Sequence, residues 1–115
     1  MKNVLLLFVA GVVLLSPTAA FAVKASEIYE WCTDYPDGGR PALCRVYTGA
    51  IMEFFESDSD PLDNETRVCL PHDATVDQII PIIYHWLDKN PEERQLRAGV
   101  AAGHALAPVY PCAPQ

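Results

Sequence analysis

The chain has 115 residues, half of them hydrophobic, with 15 acidic against 8 basic side chains and a formal net charge of −7. That length gives one domain with a limited core, and that charge excludes nucleic acid and anionic membrane surfaces as natural partners. The four cysteines make an even set, which in a short exported chain reads as a disulfide framework.

Lys2, the apolar run Val4 to Leu15 and the small-residue site Ala20-Phe21-Ala22 form a secretory signal peptide, with cleavage expected after Ala22. The run is short for a membrane span, which needs about 20 apolar residues. Residues 1–22 are therefore read as removed and residues 23–115 as the mature domain. Loss of Lys2 takes the formal charge from −7 to −8, a charge that would attract a basic partner or serve solubility alone.

Ser26 is placed to cap a first helix of about Ser26 to Asp34, in which Ile28, Trp31 and Cys32 share one face. Tyr35-Pro36-Asp37-Gly38-Gly39 has turn chemistry. Pro41 suits the first position of a second helix, Pro41 to Glu56, with Leu43, Cys44, Tyr47, Ile51, Phe54 and Phe55 at helical spacing. Gly49 within it marks either close approach of another helix or a tolerated imperfection that costs about 1 kcal/mol relative to alanine. Residues 57–66 are acidic and aperiodic, hence a loop.

Thr75 and Gln78 have capping-box spacing at the head of a third helix, whose apolar face is Ile79, Ile82, Ile83, Trp86 and Leu87. Pro81 inside it removes a backbone bond and is expected to bend or interrupt it. Asn90 caps and Pro91 starts a fourth helix, with Glu92 and Glu93 complementing its dipole. Ala98, Ala101, Ala102 and Ala105 line that helix, and Pro108 and Pro111 end it.

The expected fold is thus all-α: a small four-helix bundle of two hairpins. Four cysteines can pair in three ways, and spacing alone does not choose. The hairpins favour Cys32–Cys44, which close and open the first pair of helices, and Cys69–Cys112, which flank the second. In the chain-entropy view these cross-links are worth about 3 and about 4 kcal/mol.

Chemical motifs are few. Read from Asp58, the acidic loop puts Leu62 where an EF-hand needs an oxygen ligand, Asp63 where it needs glycine and Cys69 where it needs glutamate. His72, His85 and His104 lack the clustering of a zinc site. The cysteines are all expected in disulfides, which leaves no thiolate nucleophile. Neither a GxSxG, HExxH or P-loop motif nor a dinucleotide fingerprint is present. Asn64-Glu65-Thr66 fits a glycosylation sequon, a pattern common by chance. No metal, cofactor or catalytic residue is assigned, and a non-enzymatic role is expected. The aromatic residues are mostly core candidates, with Phe54, Phe55 and Tyr84 the ones whose neighbours cannot all point inward.

From Cys69 onward the sequence resembles the Rap/Tai family of type VI secretion immunity proteins. The resemblance is carried by Cys69-Leu70-Pro71, Thr75, Gln78, Trp86-Leu87, Asn90-Pro91-Glu92, Arg94, Ala98, Ala105-Leu106 and Tyr110-Pro111-Cys112. Upstream, Cys44, Tyr47 and Gly49 look like a slightly shifted C-x-x-Y-x-x-G, and Cys32 falls where the family has its first cysteine. Pro81, Arg97 in place of a frequent proline, Gly99 and Gly103 depart from the pattern. The resemblance implies a helical, disulfide-bonded periplasmic protein, often a homodimer. It further implies binding to a cell-wall (peptidoglycan) amidase effector, whose catalytic cleft it occludes while doing no chemistry itself.

Contact candidates are the acidic loop, with Asp58, Asp60, Asp63 and Glu65, and the outer flank of the third helix, with Asp77, Tyr84 and Asp88. Two other readings fit the same chain. One is a periplasmic acid-stress chaperone, which must expose apolar surface when its carboxylates lose charge. The other is a non-catalytic envelope protein without an amidase partner. An amidase gene beside this one is the simplest discriminator.

Overall fold

The computed structural model describes residues 22–56 and 67–112. They form four α-helices and no strands: α1 Ala25–Trp31, α2 Pro41–Glu56, α3 Val76–Lys89 and α4 Ala98–Leu106, with a 3-10 turn at Pro91–Gln95 between the last two. α3 is the hub, packing on α1, α2 and α4; α1 also packs on α2 and α4, whereas α2 and α4 have few close approaches. Both expected disulfides are formed, Cys32–Cys44 and Cys69–Cys112. The acidic-loop candidates Asp58, Asp60, Asp63 and Glu65, the sequon and most of the signal peptide lie outside the described residues. Among the described residues, no helix is long and apolar enough to cross a membrane.

α3 starts as its sequence dictates. The Gln78 amide donates to Thr75 Oγ1 at 3.3 Å, and Gln78 Oε1 accepts from the Thr75 amide at 3.0 Å. Its buried face is Ile79, Ile80, Ile83 and Leu87, so Ile80 takes the place expected for Ile82 and Trp86, which are half-buried. A helix enclosed by three others buries a wider arc than a helix in a hairpin. Each of those buried Ile and Leu side chains contributes about 1.5–3 kcal/mol. The helix runs unbroken through Pro81. Pro81 lies near the first turn with its ring exposed, so the one forfeited bond, to the Asp77 carbonyl, leaves the rest of the helix intact.

Two helix starts differ from expectation. α1 begins at Ala25, one residue early, and Lys24 rather than Ser26 is the N-cap. There the Glu27 carboxylate reaches back to the Lys24 amide at 2.9 Å, and the helix ends at Trp31 rather than Asp34. The segment after Asn90 is not one helix. The Asn90 side chain donates to the Trp86 carbonyl at 2.8 Å, closing α3 instead of capping the next segment. A 3-10 turn then gives way to extended backbone at Leu96 and Arg97. The cause is tertiary: the Ala25 amide bonds to the Leu96 carbonyl and the Ala98 amide to the Val23 carbonyl, in an antiparallel bridge of Lys24 with Arg97.

α4 is buried through Ala98, Ala101, Ala102, Ala105 and Leu106, as the small-residue lining implied. Of the two readings of Gly49, the geometry favours the tolerated imperfection over a close helix approach. A Cβ there would meet only Val76 Cγ2, at 3.8 Å, an ordinary contact that no glycine is needed to allow. Gly39 is required. Its φ is +66°, and a Cβ would lie 2.6 Å from the Trp31 carbonyl oxygen and 2.7 Å from that of Thr33. That glycine turns the chain off α1 so that the Arg40 amide can bond to the Trp31 carbonyl and α2 can begin.

A candidate partner-binding face

The outer side of α3 carries Asp77, Pro81, Tyr84, His85 and Asp88 at helical spacing. Two side-chain clusters organise it. At the N-terminal end, the Asp77 carboxylate accepts from the Tyr35 hydroxyl at 2.7 Å and from the Arg45 guanidinium at 2.6 Å, while Arg45 also donates to the Tyr35 oxygen at 2.8 Å. Arg45 is held more firmly protonated by that hydroxyl and then by the Asp77 charge. The triangle joins the 34–39 turn, α2 and α3.

At the other end, the Tyr29 and Tyr84 rings stack, nearly parallel at 5°, with centroids 5.1 Å apart. Arg94 lies over the Tyr29 ring, 3.9 Å from its centroid. Tyr84 already covers one face of Tyr29, so the guanidinium takes the other. The Tyr29 hydroxyl donates to the Asp88 carboxylate at 2.8 Å, and chiefly for that reason its pKa is pushed up to about 12. Arg94 further donates to the carbonyls of Leu87 and Asp88, at 2.7 and 3.1 Å.

Between the clusters lies a cleft of ≈ 690 Å³, walled by the 34–36 turn on one side and by Asp77, Pro81, Tyr84 and His85 on the other, with Cys32 and Ile80 at its base. Asp34 holds its turn with φ 56°, and a cis peptide joins Tyr35 to Pro36. The Cys32–Cys44 disulfide beneath is buried, with the two residues 3% and 0% exposed. Among the described residues no group of three metal-ligating side chains comes together.

Sequence reasoning placed Asp77, Tyr84 and Asp88 on one helix flank, and all three do share this face. Tyr29, Tyr35, Arg45 and Arg94, which fix their geometry, were not singled out. Arg94 was noted only within the family pattern. The other three come from different elements, and no local spacing connects them to α3.

A second surface has another character. Leu43, Val46 and Phe54 on α2 and Val100 on α4 are exposed. Two adjoining hollows of ≈ 240 and ≈ 260 Å³ share Tyr47, Phe54 and Gly99, the first reaching Val23 and Arg97, the second Ala50 and Ile51. They mark the gap between α2 and α4. Burial raises the pKa of Tyr47 there, with the Glu27 charge adding to the effect. A Cβ on Gly99 would meet nothing within 4 Å. Of the two neighbouring aromatic residues singled out on α2, Phe55 is buried in the core, whereas Phe54 is 45% exposed and packs edge-on against Phe55.

A family model described as Rap1a immunity proteins matches residues 24–112, nearly all of the described chain. Comparisons with curated proteins and with solved structures give no match.

Proposed function

The chain belongs to the Rap1a immunity protein family, and on that premise we propose that it is a periplasmic immunity protein that neutralises a type VI secretion peptidoglycan amidase by covering its active site. The family match over residues 24–112 carries this reading. Support comes from the export signal read in the sequence, from two disulfides that suit an oxidising compartment, and from a face of pre-bonded polar side chains of the kind that selects a protein partner. The protein contributes surface and no chemistry; the effector's own catalytic groups are what it shields.

The outer side of α3, with Asp77, Tyr84 and Asp88, is assigned to effector contact, together with Asp58, Asp60, Asp63 and Glu65 of the acidic loop. The apolar gap between α2 and α4 is assigned to a homodimer. Its exposed apolar residues and Gly99 offer the close, non-directional packing that homodimer interfaces use.

The test is co-expression with the amidase encoded beside this gene. The expected result is a stoichiometric complex that abolishes cleavage of purified peptidoglycan and protects cells exporting the amidase. Free amidase, full cleavage and no protection would overturn the reading.

A further inference from the structure

We propose that the cleft between the 34–36 turn and α3 receives an arginine side chain from the partner protein. The inference rests on the reading that this face meets an effector, and it names the chemistry of the group that enters. The charges that line the cleft are Asp34, Asp77 and Arg45, with His85 as the one further titratable side chain besides its two tyrosines. Arg45 is already committed to Asp77 and Tyr35. The Asp34 carboxylate is exposed and, among the described residues, has no hydrogen bond or ion pair. An anion entering here meets an unpaired carboxylate and a cation whose hydrogen bonds are already directed elsewhere. A cation meets a free acceptor in a protein of strongly negative charge.

The shape distinguishes guanidinium from ammonium. The lining offers ring surfaces: Tyr84 and Pro81 on α3, and Pro36 on the turn. The same aromatic pair already holds one guanidinium, since Arg94 lies 3.9 Å over Tyr29 and Tyr29 stacks on Tyr84. A second guanidinium against Tyr84 would extend that column from its cleft end while donating two N–H groups to Asp34. A planar, delocalised cation combines stacking with bidentate pairing, and a compact ammonium does not. The ≈ 690 Å³ of the cleft is ample for one such side chain with its neighbouring backbone. The cleft is also preformed, because the Tyr35–Asp77 bond and the Cys32–Cys44 disulfide hold the turn that carries Asp34.

Backbone NMR of the exported protein, titrated with N-acetyl-arginine amide, N-acetyl-lysine amide and N-acetyl-glutamine amide, tests this without any effector. Arginine amide is expected to shift the amide signals of Asp34, Tyr35, Tyr84 and His85, with lysine amide clearly weaker and glutamine amide inert. Asp34→Asn, which keeps a residue type suited to positive φ, is expected to weaken arginine binding about tenfold without lowering the melting temperature. It should weaken the effector complex to a similar degree. Equal response to lysine and arginine amides, shifts centred elsewhere, or indifference of either binding event to Asp34→Asn would overturn the proposal. A protein that binds arginine amide at this cleft but forms no complex with the adjacent amidase overturns the immunity reading and, with it, the assignment of the arginine to an effector.

Discussion

The two open surfaces of this small bundle are built on opposite principles. Around the cleft, polar atoms from three helices and two turns bond to one another before any partner arrives: Arg45 with Asp77 and Tyr35, Tyr29 with Asp88, Arg94 with α3 carbonyls. Such a surface has fixed geometry and rewards only a partner whose donors match it. Across the gap between α2 and α4 the lining is Tyr47, Ala50, Ile51, Phe54 and Gly99, apolar or small. Apolar burial is non-directional, so that surface rewards close fit over chemical detail. The contrast separates a face that selects from a face that adheres, and each can be broken without the other.

The largest expected effect comes from Cys32→Ala/Cys44→Ala. This cross-link, twelve residues apart in sequence, lies under the cleft, and its loss should cost about 3 kcal/mol in urea unfolding. Arginine-amide binding should fall while any self-association persists; loss of both together would show that the two faces share one scaffold. Next is Ala50→Arg, on the exposed side of α2 at the gap. Arginine and alanine have similar helix propensity, so stability should stay within about 0.5 kcal/mol. Sedimentation should nevertheless find a monomer that still binds the amidase. An unchanged sedimentation profile removes the α2–α4 gap from consideration as the dimer face.

The smallest effect is alkaline. The Tyr29 pKa is raised from 10.0 to about 12, so the folded state holds that proton more tightly than the unfolded chain. Its contribution is fully present below pH 10 and is lost as pH rises through about 12. Tyr29→Phe lacks this contribution, so the gap between its urea midpoint and that of the parent should close over that interval. One tyrosine fewer should ionise late by ultraviolet absorbance. A constant gap would mean that the Tyr29–Asp88 bond does not form in solution.

Legibility in the sequence depended on how local each cause is. Thr75 and Gln78 act within one turn, and their reciprocal cap is present as read. Cysteines flanking helical hairpins meet for reasons of chain geometry, and both pairs did. The alanines of α4 were recognised as a buried lining because small residues at helical spacing need a close neighbour. The failures share a non-local cause. Asn90 looks like a helix start, yet the pairing of residues 23–25 with 96–98 pulls Leu96 and Arg97 into extended backbone, and Asn90 closes α3 instead. Ile80 displaced Ile82 and Trp86 because α3 touches three helices, which periodicity within α3 cannot register. The candidate site divides the same way. Asp77, Tyr84 and Asp88 were legible as one flank, whereas Arg45, Tyr35 and Tyr29 reach it only through tertiary folding.

The placement of Cys44 also bears on how the chain is made. With the residue fully enclosed, no thiol oxidant can touch its sulfur once α3 has settled over α2. Cys69, in contrast, lies at the surface. The inner cross-link therefore forms most readily while the chain is still open, and the outer one can be added, removed and remade afterwards. A molecule that missed its first oxidation could correct the omission without unfolding only through Cys32, the partner that borders the cleft.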